Sequence, residues 1–165
     1  ETGPGVVEAG STSGALVSLV DLMATFSGVW KAPLPERAGP DSVSFLPVLT
    51  GSAESTRDTL IYQGHKGLLA LREDEWVLIP AQGSDGLTLH WATQKLMSYK
   101  ELGFVNSDYT PAGKLKPGAP PGQLYNLAED LGQRHNLYSK HPERVARMKA
   151  RLEEIKSQQK VEQRM

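Results

Sequence analysis

The chain has 165 residues, enough for one domain with its own core, and 39% of them are hydrophobic, which argues against disorder of the whole. A net charge of -1 offers no basic surface on the scale that nucleic-acid binding needs, so no nucleic-acid partner is expected. No apolar run reaches the ~20 residues that span a bilayer, and the absence of cysteine excludes disulfides, thiolate metal sites and a cysteine nucleophile within the chain.

Glu1-Thr2-Gly3-Pro4 is neither a start methionine nor a signal peptide, and reads as a cut inside a longer reading frame. Gly3 to Gly14 has loop composition. From Ala15 the pattern turns helical, with Leu16, Leu19, Val20, Met23 and Phe26 at helical spacing and Val17 and Leu22 on other faces. A helix apolar nearly all round belongs between layers. Asp21, isolated among these residues, must find a hydrogen-bonding partner if it is buried. Pro33, Pro35 and Arg37-Ala38-Gly39-Pro40 form a connector. Asp41 is placed to cap a short turn of helix over Ser42–Leu46, and Pro47 to start a further turn that Gly51 ends.

Antiparallel strands follow. Thr59–Tyr62 and Leu68–Leu71 are separated by Gln63-Gly64-His65-Lys66-Gly67, and Arg72-Glu73-Asp74-Glu75 turns the chain into Trp76–Ile79. Leu87–Trp91 and LMSYKELGF hold further strand candidates before the loop PAGKLKPGAPPG. Gln123–Leu127 reads as an edge strand, after which an acidic turn brings the chain back to the core at Asn136-Leu137. His141-Pro142-Glu143 opens a helix whose apolar stripe is Val145, Met148, Leu152 and Ile155. The fold class is therefore α+β: a small antiparallel sheet of about four strands packed with a C-terminal helix, preceded by an apolar helix. The organisation expected is a first segment over 1–51, a second over 52–157 with an insertion near 82–121, and a frayed tail over 158–165.

Little of this carries chemistry. His65, His90, His135 and His141 show no second ligand at metal-binding spacing. His65 and Lys66, set between Gly64 and Gly67, are the candidate substrate-binding pair, because a loop there can offer cations to an anion; the plainer reading is a polar hairpin tip. Glu73-Asp74-Glu75 diverge on a turn and suit solvent better than a divalent ion. Arg72 is expected to donate to a carboxylate or a backbone carbonyl. With no phosphate loop and no GxSxG, the chain assembles no active site, and neither a catalytic residue nor a metal ligand is assigned.

Four stretches in order resemble the C-terminal part of the formylglycine-dependent sulfatases. LVSLVDLMATF is similar to the family's Ser-x-x-Asp-Leu-x-Pro-Thr helix, with Ala24 in place of proline. SVSFLPVLTG is similar to its Gly-x-Ser-Leu-Leu-Pro-Leu-Leu-x-Gly segment. LLALREDEWVLI resembles a strand-turn-strand with an Arg, an acidic turn and a Trp, although Val77 stands where Lys is common. GQLYNLAEDLGQRHNL resembles the closing Leu-Tyr-Asp-Leu…Asp-Pro-x-Glu…Asn-Leu, with Asn126, Leu131 and Gln133 at the Asp, Pro and Glu positions.

The resemblance implies a parent of alkaline-phosphatase-like fold that hydrolyses sulfate esters. A Cys or Ser in a Cys/Ser-x-Pro-x-Arg motif becomes formylglycine there, its hydrate attacks sulfur, and Ca²⁺ neutralises the sulfate oxygens. That motif is absent here, so Ca²⁺ and formylglycine are expected only in the full-length parent. Residues 1–51 would then be the tail end of the catalytic domain and 52–157 the C-terminal subdomain. The partners implied are that upstream domain and a sulfated small molecule or glycan, in an exported or lysosomal enzyme. Freed from the catalytic domain, the apolar helix would drive self-association. Two other readings are open: a related phosphonate or phosphate monoester hydrolase, and a glycan-binding module using Trp91, Tyr99, Phe104 and Tyr109.

Overall fold

The computed structural model describes residues 7, 9–64, 67–82, 87–89, 96–98, 106–112 and 114–162. The chain divides into two compact units, Glu1–Leu60 and Ile61–Met165.

In the first unit a 3-10 turn, Leu19–Asp21, leads into α1, Leu22–Trp30. The helix starts later than the apolar pattern from Ala15 suggests, and runs past Phe26. The reason is local. Ser18 is held extended while its N–H donates to the Asp21 carboxylate at 2.9 Å, so the helix cannot propagate backwards. Lys31 ends α1 in the left-handed region (φ 53), its N–H and that of Ala32 reaching the carbonyls of Gly28 and Ser27, before Pro33 forbids continuation. The second helix, α2 (Leu46–Leu49), carries Pro47 in its first turn and is followed by Gly51 at φ 72, as the sequence suggests.

No helix forms over Ser42–Phe45, contrary to the turn expected from Asp41. This stretch spends its hydrogen-bonding groups on α1 instead. Val43 N–H donates to Asp21 Oδ1 (2.9 Å), Phe45 N–H to Thr25 Oγ1 (3.1 Å), and Ser42 Oγ accepts from Ala24 N–H (2.9 Å).

The strands are β1 (Thr59–Gln63), β2 (Leu69–Glu73), β3 (Trp76–Ile79), β4 (Leu87–Leu89), β5 (Leu96–Ser98) and β6 (Gln123–Asn126). Four of them make an antiparallel sheet in the order β1-β2-β3-β6, and β4 and β5 pair separately. The β2–β3 hairpin closes on Glu73 opposite Trp76, with Asp74 at φ 51; Arg72 Nε straps the turn by donating to the Asp74 carbonyl at 2.8 Å. The role expected of Arg72 is the one it has. β3 pairs with β6 so that Val77 faces Tyr125 and Ile79 faces Gln123, leaving β6 at the sheet edge.

The third helix, α3 (Pro142–Glu162), lies on this sheet and extends beyond Ser157, where the sequence suggests fraying. Val145, Met148 and Leu152 meet Leu71, Leu78 and Leu124 in one buried cluster, with Ile155 and Trp76 at its margin. Each of these fully buried side chains contributes about 1.5–3 kcal/mol. The α+β arrangement of sheet and terminal helix is the one that the hydrophobic spacing predicts.

Candidate functional site

The polar chemistry of the second unit gathers at the outer edge of β6. Asn136 acts there as a piece of missing strand. Its Oδ1 accepts from Leu124 N–H and from Tyr138 N–H, each at 3.0 Å. Its Nδ2 donates to the Gly122 carbonyl (3.0 Å) and to Asp108 Oδ2 (2.7 Å). Leu137 N–H completes the edge by donating to the Leu124 carbonyl at 2.8 Å. The close approach requires glycine at 122, because a Cβ there would lie 2.5 Å from a Tyr138 ring carbon.

Behind Asn136 lies a buried network. Asn106 Nδ2 donates to Gln123 Oε1 (3.0 Å) and to the Tyr125 hydroxyl (2.7 Å), and that hydroxyl donates to Gln123 Oε1 at 2.6 Å. Asn106 Oδ1 accepts from Asp108 N–H at 2.9 Å, tying the network back to Asn136. Gln123 and Tyr125 are each 1% exposed. Burial pushes the Tyr125 phenol well above its ordinary value; the Asn106 bond opposes this, while the nearby Asp108 and Asp130 charges add to it. A phenol so held is a neutral hydrogen-bonding group, unsuited to proton transfer near neutral pH.

The turn after β6 is organised by Asp130. It accepts from His135 N–H at 2.7 Å, and its carboxylate lies 3.5 Å from His135 Nδ1. Burial raises the Asp130 pKa, but the amides of Arg134 and His135 and the His135 ring outweigh it and hold the group below its usual range.

In the first unit the equivalent hub is Asp21, 1% exposed. Arg57 binds it through Nη2 (2.5 Å) and Nε (3.2 Å), and Nη2 also reaches the Asp41 carbonyl at 2.8 Å. Burial disfavours the Asp21 carboxylate, yet Arg57 and the amides of Val43 and Ser18 prevail, and its pKa falls below the ordinary value. This is the partner that a buried Asp21 needs. The hub joins three stretches of chain and leaves the carboxylate no free lone pair for chemistry.

A third polar feature opens at the start of α3, where Lys140, His141, Pro142, Glu143, Arg144 and Arg147 line a depression of about 610 Å³. The Arg144 guanidinium lies 4.2 Å from the centre of the Trp76 ring, and His141 meets the same ring edge-on at 5.3 Å.

His65 and Lys66 lie outside the described residues. Their flanks are pinned: Gly64 N–H donates to the Leu68 carbonyl at 2.7 Å, and Gly67 takes φ 77. His90, Trp91, Tyr99 and Phe104 also lie outside, while Tyr109 is partly buried in a bridge with Leu115. Among the described residues no group of three His, Asp or Glu converges to hold a metal ion, so they do not fit the Ca²⁺ that the resemblance implies. The Asn106, Asp108 and Arg57 contributions escaped the sequence reading, since each partner is many residues distant.

The fold is similar to that of a class of ester hydrolases over most of the chain. Over most of its length the chain is homologous to the C-terminal part of sulfatases. It is 31% identical over 143 residues to the N-acetylgalactosamine-6-O-sulfatase of Bacteroides thetaiotaomicron, covering 87% of this chain and 24% of that protein. It also matches a solved sulfatase from a study of glycosaminoglycan metabolism by B. thetaiotaomicron, with a TM-score of 0.60 and 28% identity over 88% of this chain and 26% of the other. The chain thus spans about a quarter of the length of these relatives. No protein-family model matches it. No helix among the described residues is long and apolar enough to cross a membrane.

Proposed function

We propose that this chain is the C-terminal, non-catalytic part of a sulfatase that removes sulfate esters from a sulfated sugar or glycan. The observation that carries the reading is the pairing of a match over most of this chain with coverage of only about a quarter of each relative. Formylglycine and Ca²⁺ would come from the remainder of the enzyme, since the chain holds no Cys/Ser-x-Pro-x-Arg motif and the described residues offer no converging ligands. The bound ion would supply charge stabilisation to the departing sulfate.

On this reading the chain's own residues have two tasks. Leu19 in the leading 3-10 turn and Met23, Phe26 and Trp30 of α1 remain 84%, 50%, 45% and 69% exposed, an apolar surface that the upstream catalytic domain would cover. His65 and Lys66, between the pinned glycines, would lend positive charge to the rim of the substrate cleft.

The test compares the full-length protein with this chain on an aryl sulfate in the presence of calcium. Turnover by the full-length protein alone is expected. Hydrolysis by the isolated chain would overturn the reading, and turnover of an aryl phosphate or phosphonate in preference to the sulfate would assign the related monoester hydrolase instead.

A further inference from the structure

Charge is unevenly spread along the chain. Between Arg134 and Arg151 there are six Lys or Arg (Arg134, Lys140, Arg144, Arg147, Lys149 and Arg151) and one carboxylate, Glu143, in a chain whose net charge is -1, with Glu73 and Glu154 from outside the segment offsetting Arg147 and Arg151. An excess of one sign in one segment, balanced by the opposite sign elsewhere, is the footprint of a charged partner. Arg144, Arg147 and Arg151 recur at i, i+3 and i+7 and so share one side of α3, next to the Val145–Met148–Leu152 stripe that faces the core. Lys140 and His141 extend this side at its beginning, around the 610 Å³ depression.

These cations are held in place without being buried. Arg144 lies against Trp76 at 4.2 Å, a contact that fixes the guanidinium and leaves its charge intact. Arg147 gives one N–H to Glu73 at 2.7 Å while its side chain stays 58% exposed, so the rest of its donor fork faces outward. Arg151 is steadied by Glu154 at 2.8 Å. Arginines ordered in advance lose less entropy when an anion arrives, and their planar donors match the oxygens of sulfate and carboxylate. From Arg144 to Arg151 the helix rises about 10 Å, a length along which a linear polymer carrying an anion on each repeat meets several cations at once.

We propose that this basic side of α3 is a docking surface for a sulfated glycan chain. The inference rests on the sulfatase reading above for the nature of the polymer. Holding a polyanion on this surface raises the local concentration of further sulfate esters.

The experiment measures binding of fluorescein-labelled chondroitin sulfate to the 165-residue chain across a salt series, with unsulfated dextran and a DNA duplex as comparisons. Binding to the sulfated glycan that weakens as salt rises is expected. Lys140→Gln/Arg151→Gln should weaken it by about tenfold, as for the loss of two exposed charge contacts, while Lys114→Gln, on another loop, leaves it unchanged. Lys140→Gln/Arg144→Gln is the second variant, with circular dichroism to confirm that loss of the Trp76 contact has not unfolded it. Binding unaltered in both double variants, equal binding of dextran, or preference for the duplex would each overturn the proposal. Aryl sulfate turnover by the full-length protein keeps the two readings apart. Lys140→Gln/Arg151→Gln should leave it unaltered, and its absence from the parent enzyme would defeat the sulfatase reading whatever the glycan binding showed.

Discussion

Asn136→Asp changes one atom type at the sheet edge and should be among the most damaging substitutions in the chain. The acceptor for Leu124 and Tyr138 survives, but both N–H donors are lost, and a second carboxylate is set where Nδ2 now lies 2.7 Å from Asp108, itself 4% exposed. Two like charges about 4 Å apart repel by about 4 kcal/mol at an effective dielectric near 20, and the two missing bonds add about 1 kcal/mol each. The sum, about 6 kcal/mol, rivals the entire stability of a small domain. Asn136→Ala loses four bonds and should cost about 4 kcal/mol, less than the near-isosteric change. The pH dependence separates the terms. Facing Asp108, the introduced carboxyl has a folded-state pKa above the ~3.9 of a free aspartate. Its penalty is therefore complete above that raised value and disappears as pH falls through it. Urea unfolding followed by tryptophan fluorescence, with Trp76 in β3 as a reporter, should rank Asp below Ala at neutral pH and reverse the order near pH 3. An Asp variant more stable than Ala at neutral pH, or a deficit indifferent to acid, would refute the account of this edge.

The Asp21 hub should fail differently. Asp21→Asn leaves the Arg57 guanidinium, 15% exposed, without its counter-charge, at a cost of about 3 kcal/mol; hydrogen exchange should show lost protection at Val43 and Phe45 while the Leu124 amide is unaffected. In the unaltered chain the depressed Asp21 pKa means that its contribution is present above the ordinary carboxylate value and fades as pH falls through the lowered one. The exposed apolar surface of α1 and its leading turn should make the isolated chain dimeric or larger at micromolar concentration in sedimentation, and Leu19→Lys/Trp30→Lys should return it to monomer. A monodisperse monomer of the unaltered chain would contradict this.

Strands β1, β2, β3 and β6 are legible as short apolar runs between turn residues, and helix α3 as an apolar stripe at helical spacing that Pro142 opens without tertiary help. The edge position of β6 followed from its isolation between turns. Where side chains captured backbone groups, local signals misled. Ser18 bound to Asp21 delays α1, and the amides of Val43 and Phe45, taken by Asp21 and Thr25, cancel the turn that Asp41 advertises. Asp21 announced its need for a partner, but nothing in an Arg among serines and threonines marks Arg57 as that partner. The Asn106–Gln123–Tyr125 network was hidden for a related reason: Gln123 reads as an ordinary edge-strand residue, and only the structure reveals that it is buried against Asn106 and Tyr125.

The register of β3 and β6 has a consequence for how this part of the molecule can change. Ile79 faces Gln123 in adjacent strands, so the chain leaves the sheet at Pro80 and returns at Gly122 through a single doorway. Closing a loop grows dearer only with the logarithm of its length, about 0.6 kcal/mol for each doubling. The part of that connection ahead of Asn106 can be lengthened, shortened or exchanged while strand pairing, the Asn106 and Asp108 contacts to the β6 edge and the helix beneath remain as they are. The frame can thus gain new surface there without being rebuilt.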